Sequence, residues 1–329
     1  MKQVLVTGGA GYVGSVLVPK LLNNGYMVKV LDLYLYGDNV LSAVKDHPNL
    51  EEIKGDVRNQ ELLQQVMPGC DTVIHLACIS NDPSFDLNPD LGKSINYDAF
   101  TPLVNISRDN GVRRFIYASS ASVYGIKEVE NVTEDMSLEP LTDYSKYKAL
   151  CEDVLHKYQS PEFTTVIVRP ATICGYSPRL RLDLVVNILT NHAVNTGQIK
   201  ILGGEQKRPN LHIQDMTDVY MLLLKERDDK VSHTFNIGCG NHTVRQLAEI
   251  VRDAVGAESV KMVVTPTNDP RSYHISSEKI NNELGFYPQY TIEDAVQDLI
   301  VSFRDGLIPN SMTDSRYFNI NLMQEIGLR

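Results

Sequence analysis

The stretch Ser119–Gly125 reads SSASVYG, and Tyr144–Lys148 reads YSKYK. The first offers hydroxyls and a phenol; the second places a phenol and an ammonium four residues apart. On a helix that spacing puts Tyr144 and Lys148 on one face. A phenol has an ordinary pKa of about 10, so its use as a base at neutral pH requires roughly 4 kcal/mol of preferential stabilisation of the phenolate. The Lys148 ammonium is an obvious local source. An isolated Tyr-x-x-x-Lys pair would read as a solvated helix face. A serine-rich run also precedes the pair, and a phenol brought together with hydroxyls could take a proton from an alcohol.

A second constellation opens the chain. VTGGAGYVGS places Gly8, Gly11 and Gly14 directly after the first apolar run. Glycine at such a turn lets backbone approach a pyrophosphate, and the N-terminus of the helix opened by Tyr12 and Val13 favours its charge. Asp32 ends the second apolar run, 18 residues after Gly14. A carboxylate there accepts both ribose hydroxyls of NAD and repels the 2′-phosphate of NADP. No arginine flanks it, so NAD is the expected cofactor. GDV at Gly55–Val57 would set Asp56 and Val57 beside the adenine, although a plain turn aspartate fits the same letters.

These residues need elements to hold them. β-rich runs fall at Gln3–Thr7, Met27–Leu31, Leu50–Lys54, Thr72–Leu76, Arg114–Ser119 and Thr164–Arg169. Between them lie helical patterns at Tyr12–Asn23, Gln60–Val66, Ile95–Asp109 and Tyr144–Tyr158. Strand–helix alternation with short loops predicts an α/β fold with a doubly wound parallel sheet. After Pro170 the rhythm breaks. Helices are expected at Leu182–Thr196, Thr217–Lys225, Val244–Val255 and Ile292–Arg304, and HTFNIG (His233–Gly238) is expected to return to the first sheet as a strand. Residues 1–170 therefore read as a dinucleotide-binding domain and 171–329 mainly as a smaller substrate-binding domain. The tail from Gly306 shows no clear pattern.

Composition narrows the function. At 329 residues the chain exceeds one small core. Its 31 basic and 41 acidic residues leave a net charge of −10 with no basic run, which argues against nucleic acid as a partner. Cys70, Cys78, Cys151, Cys174 and Cys239 make an odd count without a C-x-x-C pair, which predicts free thiols and no metal site. The N-terminus reads as a strand and a glycine turn and no apolar run has membrane-span length, so a cytoplasmic protein is expected.

Together the glycine spacing, Asp32, HLA at His75–Ala77, SSASVYG, Tyr144-x-x-x-Lys148, RPATICG (Arg169–Gly175) and HIQD (His212–Asp215) resemble the extended short-chain dehydrogenase/reductase family, in particular its nucleotide-sugar epimerases and dehydratases. The resemblance runs from Met1 to about Arg304. It implies a Rossmann-like sheet with NAD held by Gly8, Gly11, Tyr12, Val13, Gly14, Asp32, Asp56, Val57, Leu76, Ala77 and Lys148. It implies Tyr144 as base with Lys148, Ser120 as its hydroxyl partner, and Ser122 as an assisting polar group. Ser119 reads as structural and Tyr124 as a packing residue. The helices Ile95–Asp109 and Tyr144–Tyr158 form a dimer interface in relatives, so a homodimer is expected by analogy.

The same resemblance is informative where it fails. Sugar 4,6-dehydratases of the family follow their threonine with Asp and Glu, which serve elimination; here Ala121 and Ser122 stand there, and nothing in the sequence places another carboxylate nearby. A nucleoside-diphosphate-sugar 4-epimerase is therefore the leading expectation. The alternative is a 4-dehydrogenase that releases the ketone, with GDP-heptose as one such substrate. A dehydratase and a non-catalytic NAD-binding regulator rank lower. Thr172 replaces the asparagine of the family's R-P-x-N pattern. Arg179 or Arg181 clamps a diphosphate, or both merely cap a helix start, and Arg271 matches a diphosphate arginine. Cys174 is expected to be a packed thiol and His212 structural.

Overall fold

Val4 and Val6 enter one apolar cluster while Leu5 enters another. Side chains alternate along a strand, so β1 is covered on both faces, as a parallel sheet requires. The structure, a computed structural model, describes residues 2–231, 233–267 and 272–328. The chain runs β1 (Gln3–Thr7), β2 (Met27–Asp32), β3 (Leu50–Lys54), β4 (Thr72–His75), β5 (Arg114–Ala118), β6 (Thr164–Pro170), β7 (Thr172–Cys174), β8 (Gln198–Leu202), β9 (Lys207–His212), β10 (Thr234–Ile237), β11 (Asn241–Thr243) and β12 (Lys261–Thr265). Seven of them form one sheet in the order β10-β6-β5-β4-β1-β2-β3, every pair parallel. Strand order reverses between β1 and β4, and the crevice at their carboxyl ends is where such sheets bind ligands.

Helices Gly14–Asn23 and Ile213–Lys225 cover one face through Leu17, Val18, Leu21, Met216 and Tyr220. Helices Gln60–Val66, Phe100–Asp109 and Asp143–Tyr158 cover the other through Leu63, Leu103, Val104, Cys151 and Leu155. Each such aliphatic side chain contributes roughly 1.5–3 kcal/mol when fully buried. A third cluster, with Val186, Leu189, Leu247, Val251 and Val296, joins helices Val185–Thr196, Val244–Val255 and Ile292–Arg304. Strand β9 joins β7 in parallel and β11 antiparallel, and β8 pairs with β12. Among the described residues no helix is long and apolar enough to cross a membrane.

Two segments depart from expectation. The helix expected at Ile95–Asp109 begins as a π turn, Ser94–Asp98, before helix Phe100–Asp109. Asn96 explains the wider turn: its amide brackets both Ile79 backbone groups (2.8 and 2.9 Å), while its carbonyl accepts the Cys151 thiol at 3.2 Å. The tail also folds. It forms the short helix Asn319–Ile326, and Leu322 and Met323 are buried.

Candidate active site

After β1 the chain turns at Gly8 with φ 75°. A Cβ there would lie 2.6 Å from the Ala77 backbone nitrogen, and one at Gly14 would lie 2.5 Å from the Gly9 carbonyl oxygen. Only glycine leaves this cradle open to a phosphate. The Asp32 carboxylate pins the loop from below, accepting from Ala10 N at 2.9 Å and Tyr34 N at 2.8 Å. Burial raises its pKa, opposed by these backbone donors and by Arg179. Asp56 forms a 2.6 Å ion pair with Arg58. Gly8, Gly11, Tyr12, Val13, Gly14, Asp32, Asp56, Val57, Leu76 and Ala77 all line one cavity of about 420 Å³.

The same cavity is lined by Ser120, Ser122 and Tyr144. Helix Asp143–Tyr158 starts at a capping box: Thr142 Oγ1 accepts from Ser145 N (3.3 Å) and Ser145 Oγ from Thr142 N (3.2 Å). That fixes Tyr144 in the first turn. One turn later Lys148, 3% exposed, donates to the Ala118 carbonyl at 2.6 Å, with its ammonium 4.9 Å from the Tyr117 ring centre. Ser120 caps the turn Ala121–Tyr124, and its hydroxyl lies 2.9 Å from that of Ser122. The Tyr144 phenol is pushed up, first by burial and then by the Cys78 thiol and the Asp82 carboxylate; Arg181 and the Ser120 hydroxyl pull the other way.

Beneath the site lies a buried scaffold. Ser119 donates to Glu152, and Glu152 pairs with Arg169 at 2.6 Å. Arg169 also donates to the Tyr124 hydroxyl at 2.6 Å. His75 Nδ1 meets Thr7 Oγ1 at 2.6 Å, and burial, aided by Lys148, depresses the imidazole pKa to about 3. These residues shape the site from below.

Thr172, Arg179 and Arg181 also line the cavity, while Arg271 lies outside the described residues. Arg181 pairs with Asp183 at 2.9 Å and donates to Ser80 Oγ at 3.0 Å. Arg179 instead stacks on Tyr36, 3.5 Å from the ring centre, at the Asp32 side. Cys174 is buried and donates to the Leu211 carbonyl, and burial pushes its thiol up, as suits a packed group. His212 caps helix Ile213–Lys225 by accepting from Gln214 N at 3.1 Å.

Sequence reasoning missed several cavity residues, among them Tyr36, Asp82, Arg208 and Tyr273. Arg208 precedes HIQD closely enough to have been weighed with it. Asp82 is a carboxylate from elsewhere in the chain that the sequence alone did not place. The loop after β4 carries it into the cavity, where Thr142 Oγ1 donates to it at 2.6 Å.

A glycine cradle at a strand-order switch, a strand-ending carboxylate and a Ser–Tyr–Lys constellation in one cavity define a dinucleotide-dependent enzyme of the extended short-chain dehydrogenase/reductase class. Residues 4–238 match the NAD dependent epimerase/dehydratase family, and the chain belongs to that family. It is 28% identical over 304 residues to the low-salt glycan biosynthesis protein Agl12 of Haloferax volcanii, covering 90% of this chain and 96% of the relative. It superposes on a UDP-glucose 4-epimerase with UDP-glucose from Thermotoga maritima (TM-score 0.82, 25% identity, 93% of this chain and 99% of that one). It likewise superposes on a dTDP-glucose 4,6-dehydratase from Streptomyces venezuelae crystallised with NAD (TM-score 0.81, 26% identity, 92% and 98%).

Proposed function

We propose that the protein oxidises C4 of a nucleoside-diphosphate sugar and returns the hydride to the other face, acting as an NAD-dependent 4-epimerase. The observation that supports this reading is the meeting of Tyr144, Ser120 and Lys148 around one cavity beside Ala121 and Ser122. NAD, when bound in the cradle of Gly8, Gly11 and Gly14, accepts and returns the hydride. Tyr144 takes the proton of the C4 hydroxyl and Ser120 hydrogen-bonds the same oxygen, with Ser122 holding the Ser120 hydroxyl. Lys148 favours the phenolate and positions the dinucleotide's ribose. Arg181 and Thr172 face the sugar nucleotide from residues 171–329, with Arg271 as a further diphosphate partner. Residues 1–170 and β10 carry the dinucleotide, and helices Phe100–Asp109 and Asp143–Tyr158 serve as the homodimer face.

Asp82 supports a second reading. A carboxylate beside Tyr144 has the chemistry that elimination needs, so a 4,6-dehydratase is the alternative in which Asp82 supplies the acid–base work missing at Ala121 and Ser122. The substrate class is tested by thermal shift of the NAD-loaded protein with UDP-, GDP-, CDP- and dTDP-sugars. Stabilisation by one nucleotide series supports the proposal. No shift with any of them, alongside a shift with a free sugar or a simple alcohol, contradicts it.

A further inference from the structure

Arg179 is 4% exposed, yet it is poorly satisfied for a buried cation. Its terminal nitrogens donate to the Leu180 carbonyl (3.4 Å) and to Asn319 Oδ1, and its Nε has no partner. Asp183, whose charge reaches it, is engaged by Arg181 at 2.9 Å. Among the described residues no carboxylate forms a direct ion pair with this buried guanidinium, although the charges of Asp183 and Asp32 reach it, so its surroundings suit an anionic ligand.

Its neighbours locate that ligand. The Arg179 backbone nitrogen donates to Ser15 Oγ at 3.4 Å. Ser177 Oγ donates to the Tyr12 carbonyl at 2.7 Å and lies 2.6 Å from Ser15 Oγ. The segment Ser177–Arg179 is thereby stitched to the first turn of helix Gly14–Asn23, while the guanidinium stacks on Tyr36 beyond Asp32. Arg179 and the helix N-terminus thus border the same part of the cavity, between the glycine cradle and the ribose carboxylate. Arg179 depends in turn on the tail. Asn319 is 2% exposed, and its amide donates to Ser80 Oγ at 3.1 Å and its backbone nitrogen to Asp183 at 3.2 Å. Leu182 N donates to the Tyr317 carbonyl at 2.9 Å, which seats the tail beside it.

We propose that Arg179 binds the pyrophosphate of the dinucleotide rather than the diphosphate of a sugar nucleotide, and that Asn319 is the positioning residue that holds it there. The C-terminal tail then belongs to the cofactor site. This inference rests on NAD being the cofactor and is independent of which reaction follows.

The test is NADH binding followed by fluorescence, with adenosine, which lacks phosphate, measured as a competitor. Arg179→Met should weaken NADH by at least about ten-fold and change adenosine by less than about two-fold, as a charge-assisted phosphate contact implies. Asn319→Ala should weaken NADH several-fold, and Arg179→Lys should fall between Arg179→Met and the wild type. Thermal melts check folding, and Arg179→Lys with Asn319→Ala carry the test if Arg179→Met does not fold. Unchanged NADH affinity in the variants would overturn the proposal, as would equal losses for NADH and adenosine. Failure of the wild type to bind NADH would overturn the cofactor reading itself.

Discussion

The Lys148 ammonium sits 5.9 Å from the centre of the Tyr144 ring, tied to the Ala118 carbonyl and not to the phenol. If lysine acts on tyrosine, it must do so across this gap and not by a direct hydrogen bond. In the proposed reaction Tyr144 carries the proton, and the Ser120 hydroxyl bonds to its phenol. Tyr144→Phe is expected to keep the fold and NAD binding while losing about 10²–10⁴-fold in turnover, the usual worth of a positioned acid–base group. Ser120→Ala should lose less, because it removes one hydrogen bond and leaves the base. Near-full turnover in Tyr144→Phe, measured by steady-state kinetics, would assign the proton to another group.

Asp32 stands at the end of β2. Its carboxylate accepts Ala10 N and Tyr34 N, and it faces the cavity where the adenosine ribose would lie. The wild type should prefer NAD over NADP. Asp32→Asn removes the charge that repels a 2′-phosphate while keeping an acceptor for the loop, so it should narrow the preference. Titration of both dinucleotides against both proteins checks this. Equal affinities in the wild type would remove Asp32 from the selecting role.

Glu152 and Arg169 form a buried ion pair, 1% and 5% exposed, to which Ser119 and Tyr124 are bonded. Removing one partner leaves the other charged and desolvated. Arg169→Met is expected to cost about 3–5 kcal/mol in chemical denaturation. A loss below about 1 kcal/mol would show that Glu152 is satisfied by its other partners.

His75 sets a pH dependence of stability. Its folded pKa, depressed to about 3 by burial and by Lys148, lies below the ordinary imidazole value of about 6.5. Above that ordinary value neither state is protonated, and His75 contributes no pH dependence. As pH falls between the two values the unfolded chain takes up a proton that the folded chain refuses. Stability then declines, by about 1.4 kcal/mol per pH unit from this group. Urea midpoints measured from pH 7 to pH 5 should fall, and His75→Gln should flatten that fall. An equally steep fall in His75→Gln would place the effect on other groups.

Much of this site was legible because its signals are local. Glycine spacing, a strand-ending aspartate and a Tyr-x-x-x-Lys pair each depend on a few adjacent residues, and the fold brings them into one cavity. What stayed hidden depends on long-range contacts. Asp82 reaches the cavity through a loop after β4, anchored on Thr142, sixty residues further along the chain. Asn319 meets Arg179 from a tail without clear periodicity. The π turn at Ser94–Asp98 arises because Asn96 binds Ile79, a tertiary contact that local propensity does not encode. The burial of the Tyr144 phenol, and the approach of Cys78 and Asp82, likewise belong to the fold and not to the motif.

The most direct test of the central claim is the mass of the product formed by NAD-loaded enzyme from the nucleotide sugar that it binds. Elimination needs a base and an acid that Ala121 and Ser122 cannot supply near neutral pH, each worth several kcal/mol of barrier lowering. Hydride return is therefore expected to give a product of unchanged mass, distinguished from substrate by proton NMR at C4. A product two hydrogens lighter, with NADH formed, would make the protein a 4-dehydrogenase. Loss of one water would contradict the epimerase assignment and give Asp82 the acid–base role.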